Sequence, residues 1–461
     1  MILWTASELA AATGGAAHGD FAARGVTFDS REVGAGDLFI ALSGETTDGH
    51  RFVPQALAQG AAGVLASQPV DGPHVRAADT MAALEAMARA ARARTDAIVI
   101  GVTGSVGKTG TKEALHAALD RAAPGRTHKS VKSYNNHTGV PLSVSRMPAD
   151  SRFGVFEMGM NHAGELAALT RIVRPHIALV TTIAPAHTAF FPSVEAIADA
   201  KSEIFQGLEP GGTAIVPFDS PYRDRLIAAA RPYAGRIVTF GLGEGADIRA
   251  VEVMAAPTGG SFVVASLGKR ELSFTLSQPG AHWVANAMGV LAAVEAAGGD
   301  LAQAGLALAE LDGLAGRGAQ HDVPAGDGTA RLIDESYNAN PSSMRATLQV
   351  LAATPAHRRI AVLGEMRELG EDSEAYHAGL AGPVAEAGVD YAVLVGDGMA
   401  ALAKALEGRV ELVHVPRAAE AGAALDAVLS DGDAVLVKGS NGVGLSALVA
   451  ALVKRRQPCS I

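Results

Sequence analysis

The sequence has little cysteine and no long apolar run. Its single cysteine, Cys459, lies in the polar segment at the C-terminus, so an intrachain disulfide and a cysteine metal site are both excluded. No stretch approaches the roughly 18 uninterrupted apolar residues of a transmembrane helix, and the N-terminus lacks the basic and apolar regions of a signal peptide. We therefore expect a cytoplasmic protein without stable membrane insertion.

Positive charge is also scarce. The 38 lysine and arginine residues are outnumbered by 48 aspartate and glutamate residues, which gives a formal net charge of -10 at pH 7. Proteins that bind nucleic acid neutralise its phosphates with a broad basic surface, so we expect no nucleic-acid partner. What the chain does contain, 48% hydrophobic residues and 53 glycines, is typical of a compact α/β protein with many tight turns.

The length of 461 residues exceeds what one hydrophobic core usually supports, and the pattern predicts three α/β domains. Residues 1–94 alternate short apolar runs with glycine turns and end in an alanine-rich helical stretch. Residues 95–314 alternate β-type apolar runs with helical patterns, as in a doubly wound parallel sheet, and an alternating segment around "TGGS" predicts an appended hairpin. Residues 315–461 carry further strand patterns, "ARLIDES", "RIAVLGEM", "YAVLVGDG" and "DAVLVKGSNG", which predict a second parallel sheet. The glycine-rich "GLAGRGAQHD" is the candidate hinge.

The segment "GVTGSVGKTGTKE" directly follows an apolar run and nearly matches a phosphate-binding loop. Val102 stands where the pattern G-x-x-x-x-G-K-[ST] has glycine, but two glycines bracket the turn. In such a loop backbone N–H groups face phosphate oxygens, Lys108 reaches the terminal phosphates and Thr109 offers a hydroxyl to magnesium. The residues predicted to bind the nucleotide here are Thr103, Gly104, Ser105, Val106, Gly107, Lys108, Thr109 and Gly110. The alternative is a glycine-rich strand-to-helix turn with an incidental lysine.

Other polar residues follow predicted strands, where ligands of open α/β sheets gather. Glu157 ends one such strand and His187 follows the next one. With Thr109 they form a plausible magnesium site, although magnesium prefers oxygen over histidine nitrogen. Taken alone, a histidine such as His187 is more often a core or solvated residue than a metal ligand. Lys201 is more simply explained as an exposed lysine on a helix than as a functional residue. "SYNNHTGVPLS" contributes residues that either bind a polar substrate or cap and turn the chain, namely Asn135, Asn136 and Thr138. The polar residues of "AVLGEMRELGE" and "LVKGSNGVGL" also lie where the crevice of a sheet is expected.

The motifs "TGSVGKT", "YNNHTGVPLS", "FEMGMNHAGEL", "AKSEIF", "IDESYNANPSSM" and "GEMRELGE", in this order, resemble those of the Mur ligases of peptidoglycan synthesis. The resemblance runs from about residue 28 to residue 445, and "SYNANPSSM" with "GEMRELG" is characteristic of the members that add D-alanyl-D-alanine. It implies an N-terminal UDP-sugar domain, a central P-loop ATPase and a Rossmann-like last domain that brings the amine. It also implies ATP and Mg²⁺ as cofactors and a monomer.

The resemblance assigns roles to individual residues. The UDP-sugar side would include Ser30, Arg31, Thr46, Asp48, Gly49 and His50. Lys201 matches a lysine that is carbamylated in related ligases and then binds magnesium. The nucleotide would also be contacted by His282, Asn286, Arg317 and Asp334, of which Arg317 matches a hinge arginine that reaches the γ-phosphate. The side of the incoming dipeptide would include Tyr337, Asn338 and Asn340.

The implied activity is ATP-dependent amide formation. The carboxylate of UDP-N-acetylmuramoyl-tripeptide would be phosphorylated to an acyl phosphate, and the amine of D-alanyl-D-alanine would then displace phosphate. Lys108, Lys201, Arg317 and His187 would be the catalytic residues, because two anions must meet in the first step. The alternatives are a ligase of the folylpolyglutamate synthase type, which shares the ATPase core, and a nucleotide-binding scaffold without catalysis.

Overall fold

A computed structural model describes residues 1–44, 47–256 and 260–455, so Thr46, Cys459 and, in the predicted hairpin turn, Thr258 and Gly259 lie outside the described residues. Its strands form three main sheets, one in each of three successive segments of the chain, with helices packed against them. The predicted α/β class with three units is therefore confirmed. Within the described part of the chain, no helix is both long and apolar enough to cross a membrane.

The N-terminal unit is a five-stranded sheet with the order β2-β7-β6-β5-β4, in which β2 alone runs antiparallel, beside a small β1–β3 ladder. Its first helix, Ala6–Thr13, is started by a capping box in which Thr5 and Glu8 satisfy each other's backbone N–H groups. The strands are β1 (Trp4–Thr5), β2 (Ala16–His18), β3 (Ala22–Ala23), β4 (Gly25–Thr27), β5 (Asp37–Ile40), β6 (Gly63–Ala66) and β7 (His74–Arg76). The helices are α1 (Ala6–Thr13), α2 (Val53–Ala58) and α3 (Thr80–Ala93).

The central unit is a nine-stranded sheet with the order β9-β10-β8-β11-β12-β13-β14-β15-β16. Strands β8 to β14 are parallel, and β14 to β16 form the antiparallel extension that the alternating pattern predicted. The strands are β8 (Ile98–Thr103), β9 (Thr127–Lys129), β10 (Phe153–Glu157), β11 (Ile177–Val180), β12 (Thr213–Pro217), β13 (Arg236–Gly241), β14 (Ile248–Ala255), β15 (Ser261–Leu267) and β16 (Arg270–Leu276). The helices are α4 (Lys108–Ala122), α5 (Gly139–Ser145), α6 (Glu165–Val173), α7 (Val194–Ser202), α8 (Arg223–Ala230), α9 (Ala281–Ala296) and α10 (Leu301–Ala309).

Both faces of the central sheet are buried at β8, β10, β11 and β12, which explains why these strands read as continuous apolar runs. On β8, Ile100 and Val102 pack into the core beneath α4 and α9, whereas Val99 belongs to the core on the opposite face. The carboxyl ends of β8, β10 and β11 therefore emerge side by side at one edge of a rigid layer. Polar residues that follow these strands are brought together there.

The last unit is a six-stranded sheet with the order β17-β18-β22-β19-β20-β21, parallel except for β17. The four predicted strands correspond to β18, β19, β20 and β22. The strands are β17 (Ala319–Ala325), β18 (Gly328–Glu335), β19 (Arg359–Gly364), β20 (Tyr391–Val395), β21 (Glu411–Val415) and β22 (Ala434–Lys438). The helices are α11 (Pro341–Ala353), α12 (Ser373–Ala378), α13 (Ala381–Glu386), α14 (Ala400–Leu406), α15 (Ala418–Asp426) and α16 (Leu445–Lys454).

Specific contacts join the three units. The Trp4 indole N–H donates to the carbonyl of Ser145 at 2.9 Å, and Lys132 forms an ion pair with Glu32, so the first unit is held against α5 and the loop before it. On the other side, the Thr188 hydroxyl donates to the carbonyl of Leu369 at 2.9 Å, between the central and last units. The carboxyl edges of their two sheets face each other across a crevice.

Candidate functional site

The turn between β8 and α4 has the backbone of a phosphate-binding loop. Gly104 has φ +148° and Gly107 has φ +88°, conformations that L side chains rarely adopt. A Cβ on Gly104 would lie 1.9 Å from the hydroxyl oxygen of Thr181, and one on Gly107 would lie 2.9 Å from the Asn286 amide. Glycine is therefore required at both positions, and the first turn of α4 presents free N–H groups to the crevice.

The loop is held by the two residues that directly follow β11. The Ser105 N–H donates to the Thr182 carbonyl at 2.7 Å and the Thr181 hydroxyl donates to the Val106 carbonyl at 2.6 Å. The Lys108 ammonium donates to the Gly104 carbonyl at 2.7 Å and so lies over the loop. Burial lowers the pKa of Lys108, an effect that the nearby Glu157 carboxylate opposes. A cation that lies over a loop of this shape can reach the phosphates of a nucleotide.

Thr109 and Glu157 meet directly at the edge of the sheet. The Thr109 hydroxyl donates to one carboxylate oxygen of Glu157 at 2.8 Å, and the Asn135 amide donates to the other at 2.7 Å. Glu157 is 1% exposed. Buried oxygen donors held by further hydrogen bonds suit a hard cation.

His187 and Lys201 come from neighbouring segments. His187 has φ +58°, and its Nδ1 lies 2.6 Å from Glu368 of the last unit. Lys201, on α7, is 1% exposed rather than on the solvent face, and burial together with the charge of Lys108 lowers its pKa well below the usual value. Among the residues that the structure describes, no three His, Cys, Asp or Glu side chains are grouped to hold a metal ion.

The candidate hinge brings Arg317 to the crevice. Its guanidinium stacks 4.1 Å from the centre of the Tyr337 ring and donates to the Ser133 hydroxyl at 3.3 Å. Ser133 in turn lies 3.3 Å from the Thr109 hydroxyl. Ser133 is thus the one side chain that lies between Arg317 and the Thr109 hydroxyl next to the phosphate-binding loop.

Two cavities occupy the crevice between the central and last units. The first, about 260 Å³, is lined by the loop and by predicted residues of both units, among them Asn135, Glu157, His187, His282, Asn286, Arg317, Tyr337, Asn338 and Asn340. The second, about 370 Å³, shares Lys108, His187, Asn338 and Asn340 with the first but extends to Arg367, Glu368, Ser440 and Asn441. The "GEMRELGE" and "KGSNG" segments thus face the crevice, as their positions after strands suggested.

The far end of the first cavity is formed by the start of α9. His282 lies there, and burial lowers its pKa to about 4, so the ring is neutral at pH 7. Trp283 packs against Gly110, where a Cβ would come within 2.8 Å of the indole. An apolar wall and a neutral imidazole suit a flat heterocycle better than a charged group.

Other predicted residues lie away from these cavities. Asp48 accepts hydrogen bonds from the His50 N–H at 3.0 Å and ring at 2.6 Å, and Arg31 forms an ion pair with Asp29 at 2.7 Å. Both pairs follow strands of the N-terminal sheet. Nearby in the chain are Ser30, which is buried, and Gly49, which begins a 3₁₀ turn.

Three more predicted residues make local contacts. Asn136 accepts hydrogen bonds from the Thr138 hydroxyl at 3.1 Å and the Gly139 N–H at 2.9 Å, so both stabilise the start of α5. Asp334 is 4% exposed and accepts from the Gly316 N–H at 2.6 Å. It orders the hinge from behind the cavity wall.

Several side chains that line the first cavity were not singled out from the sequence, namely Ser133, Trp283, Glu335 and Lys438. Lys438 is 2% exposed and donates to the Asn338 carbonyl at 2.9 Å. Its position at the carboxyl end of an apolar run was the available signal, because side chains at such ends face the crevice.

Comparison with known proteins gives matches along the chain. Family models match as the Mur ligase family catalytic domain at residues 23–97, the Mur ligase middle domain at residues 102–294, and the Mur ligase glutamate ligase domain at residues 323–441. A curated relative from Synechocystis, UDP-N-acetylmuramoyl-tripeptide--D-alanyl-D-alanine ligase, is 36% identical over 94% of this chain and 93% of its own length.

Solved structures of Mur ligases also match this chain. The crystal structure of MurF from Acinetobacter baumannii matches with a TM-score of 0.84 and 33% identity, covering 98% of this chain and 99% of that one. MurF ligase from Thermotoga maritima in complex with ADP matches with a TM-score of 0.78 and 25% identity, covering 94% of this chain and 97% of that one.

Proposed function

The chain belongs to the Mur ligase family, and from this premise we propose that it joins D-alanyl-D-alanine to UDP-N-acetylmuramoyl-tripeptide at the expense of ATP. The observation that carries the proposal is the crevice in which the phosphate-binding loop, Arg317 and the pair Asn338 and Asn340 line one cavity. Similarity to a D-alanyl-D-alanine ligase over 94% of the chain supports the choice of substrates. The product is the UDP-muramoyl-pentapeptide precursor of peptidoglycan.

In the first step a carboxylate oxygen of the tripeptide attacks the γ-phosphorus of ATP, and ADP leaves with the electron pair of the broken bond. Two anions approach each other, so cationic side chains must offset their repulsion. Lys108 lies over the loop, and the guanidinium of Arg317 is held by the Tyr337 ring and Ser133. Both groups are positioned before the reaction, so little reorganisation is needed.

In the second step the amine of the dipeptide attacks the acyl carbon, and a tetrahedral intermediate collapses with loss of phosphate and a proton. We assign the incoming dipeptide to the second cavity, which joins the first at Lys108, Asn338 and Asn340. Amide oxygens and N–H groups of the two asparagines can orient a peptide. The shared wall brings the amine close to the phosphorylated carboxyl group.

The residues at the edge of the sheet fit a magnesium ion, because Thr109 and Glu157 supply oxygen donors 2.8 Å apart and Glu157 is buried. We propose Thr109, Glu157 and His187 as its ligands. A bound magnesium ion would withdraw negative charge from the phosphates.

Lys201 fits a carbamate better than an ammonium. It is buried, and burial and Lys108 lower its pKa well below the usual value, so its amine is a nucleophile for carbon dioxide. The carbamate would be a further oxygen ligand for magnesium. A carbamate carbon resonance on enzyme labelled with ¹³C-bicarbonate, absent in Lys201→Arg, is the expected result; no resonance in the unmodified chain contradicts it.

We propose boundaries at residues 94/95 and 314/315, with the UDP-sugar held by the first domain through Ser30, Arg31, Asp48, Gly49 and His50. The second and third domains would bring ATP and the dipeptide together, and one chain carries every residue named, so we propose a monomer. We also propose that the reaction takes place in the cytoplasm, because ATP and UDP-linked substrates are found there.

The test is phosphate release from ATP with UDP-N-acetylmuramoyl-tripeptide, with and without D-alanyl-D-alanine, followed by mass spectrometry of the product. We expect release that needs both substrates and a product heavier by one dipeptide less water. Release with a folate and glutamate instead would favour the folylpolyglutamate synthase alternative. Nucleotide binding without turnover on any acceptor would favour a scaffold.

A further inference from the structure

Lys112, on helix α4, is a buried lysine that the mechanism above does not use. It lies three residues after Thr109 and four after Lys108, so the three side chains share one side of the helix. The Lys112 side chain is 0% exposed, although lysine is almost never fully buried without a partner. A buried ammonium has to be paired, and its partners show which part of the molecule it holds in place.

All three donors of the Lys112 ammonium have acceptors. The ammonium donates to the Ser130 carbonyl at 3.1 Å and to the Lys132 carbonyl at 2.5 Å, and it lies 2.9 Å from a carboxylate oxygen of Glu113. Both carbonyls belong to residues 130–135, which directly follow strand β9 and are called the 130–135 segment below. Lys112 therefore ties this segment to the helix that follows the phosphate-binding loop.

The backbone of the 130–135 segment is strained where Lys112 contacts it. Lys132 has φ +51°, in the left-handed region that residues other than glycine rarely adopt. Such a conformation persists only where surrounding contacts impose it, and it occurs preferentially near functional sites. The bond from Lys112 to the Lys132 carbonyl is one such contact, and the ion pair of Lys132 with Glu32 of the N-terminal unit is another.

The 130–135 segment also supplies side chains to the edge of the sheet where magnesium is proposed to bind. The Asn135 amide donates to the Glu157 carboxylate at 2.7 Å, and the Ser133 hydroxyl lies 3.3 Å from the Thr109 hydroxyl. A group that bonds to a metal ligand fixes the orientation of that ligand. The Lys112 ammonium thus reaches the proposed site through the backbone that carries Ser133 and Asn135.

We propose that Lys112 is a positioning residue of the magnesium site. Its ammonium holds the 130–135 segment in the strained conformation in which Asn135 orients Glu157 and Ser133 stays beside Thr109. The inference rests on the magnesium site of the proposed function, but not on the identity of the acceptor or the amine.

The test is titration of the full chain with Mn²⁺ in place of magnesium, with the protein in excess over ADP and free Mn²⁺ followed by electron paramagnetic resonance. In Lys112→Met, which keeps the length of the side chain but not its donors, we expect Mn²⁺ to bind about 10- to 100-fold more weakly. The affinity for ADP without metal, measured by calorimetry, should stay within about threefold, because the N–H groups of the phosphate-binding loop remain in place. A general loss of packing would weaken both.

Lys129→Met is the matched control. Lys129, on β9, forms an ion pair with the same Glu113 carboxylate, so its loss removes a comparable charge from that carboxylate but leaves the Lys112 bonds to the segment. The Mn²⁺ affinity of this variant should equal that of the unmodified chain. A second readout is the double variant with Asn135→Ala: the losses in Mn²⁺ affinity should not add, because Lys112 acts through Asn135.

Lys112→Gln, which retains N–H donors, replaces the methionine variant if that variant does not fold, and the same direction of change is expected. Four results would overturn the inference: unchanged Mn²⁺ affinity in a folded Lys112 variant, an equal loss in Lys129→Met, additive losses in the double variant, or unfolding of both Lys112 variants. No Mn²⁺ binding by the unmodified chain would refute the magnesium site and the inference with it. Mn²⁺ binding in an enzyme that forms no pentapeptide would refute only the assigned reaction.

Discussion

Substitution of Gly104 by alanine should destroy the phosphate-binding loop without unfolding the protein. Gly104 has φ +148°, which costs roughly 1–3 kcal/mol for a residue with a Cβ. The new Cβ would lie 1.9 Å from the Thr181 hydroxyl oxygen. That oxygen cannot move away freely, because the hydroxyl donates to the Val106 carbonyl at 2.6 Å and holds the loop.

The free-energy cost of Gly104→Ala follows from the backbone strain, the lost hydrogen bond and the steric overlap. Displacing Thr181 loses a hydrogen bond worth about 1 kcal/mol, and the residual overlap adds roughly 1–3 kcal/mol. The total, roughly 3–7 kcal/mol, is relieved if the loop leaves its binding conformation. At about 1.4 kcal/mol for each tenfold change, we expect ADP to bind at least about 100-fold more weakly to Gly104→Ala, measured by calorimetry, and ligase turnover to fall by as much.

Gly125→Ala is the matched control. Gly125 has φ +69°, and a Cβ at this position would meet no atom within 4 Å, so alanine there carries backbone strain of about 1 kcal/mol and no overlap. We expect a small loss of stability and unchanged ADP affinity. Binding of ADP to Gly104→Ala within about threefold of the unmodified chain would refute the reasoning, because the loop would then tolerate a Cβ.

Three further predictions concern charge, pH and domain closure. Lys108→Ala should lower turnover by about 1000-fold or more with an unchanged unfolding midpoint; retained turnover in the folded variant would contradict the assignment of the loop. The His128 Nε2 lies 2.7 Å from the Ser143 carbonyl, and burial lowers the pKa of His128 to about 4 from 6.5. Stability from this histidine is complete above about pH 6.5 and is lost as the pH falls toward 4. Urea titrations should therefore show His128→Gln losing about 2 kcal/mol less than the unmodified chain between about pH 7.5 and about pH 5; equal losses would refute it. Small-angle scattering should show compaction when nucleotide and tripeptide substrate are added, since water must be kept from the acyl phosphate; an unchanged radius of gyration would contradict hinge closure near residues 313–318.

Patterns of a few consecutive residues were enough to predict several strands and one loop of this protein. The apolar runs that became β8, β10, β11 and β12 are recognisable because strands buried on both faces carry apolar residues continuously. The loop between β8 and α4 can likewise be recognised in the sequence, because its signal also lies in neighbouring residues. Its glycines are required by backbone conformation at Gly104 and Gly107, which is a property of a few consecutive residues.

Other features depended on residues far apart in the chain. Lys201 reads as an exposed helix lysine, and only the packing of α7 against the sheet buries it beside Lys108. Strands β17 and β21 were not predicted, because edge strands are only partly buried and lack a strong apolar signal. His282, Asn286, Arg317 and Asp334 were assigned to the nucleotide through resemblance to a family rather than through physical periodicity, and that assignment stays a prediction.

The division of labour between Asp334 and Glu335 was decided by tertiary structure alone. The two are neighbours of the same chemical type, and nothing local distinguishes a carboxylate that orders a hinge from one that lines the cavity. The difference arises because Lys438 arrives on the adjacent strand and Gly316 arrives from the hinge. Sequence determines which groups are present and in what order; the crossing of strands from distant segments determines which of them meet, because a hydrogen bond acts over about 3 Å whatever the separation along the chain.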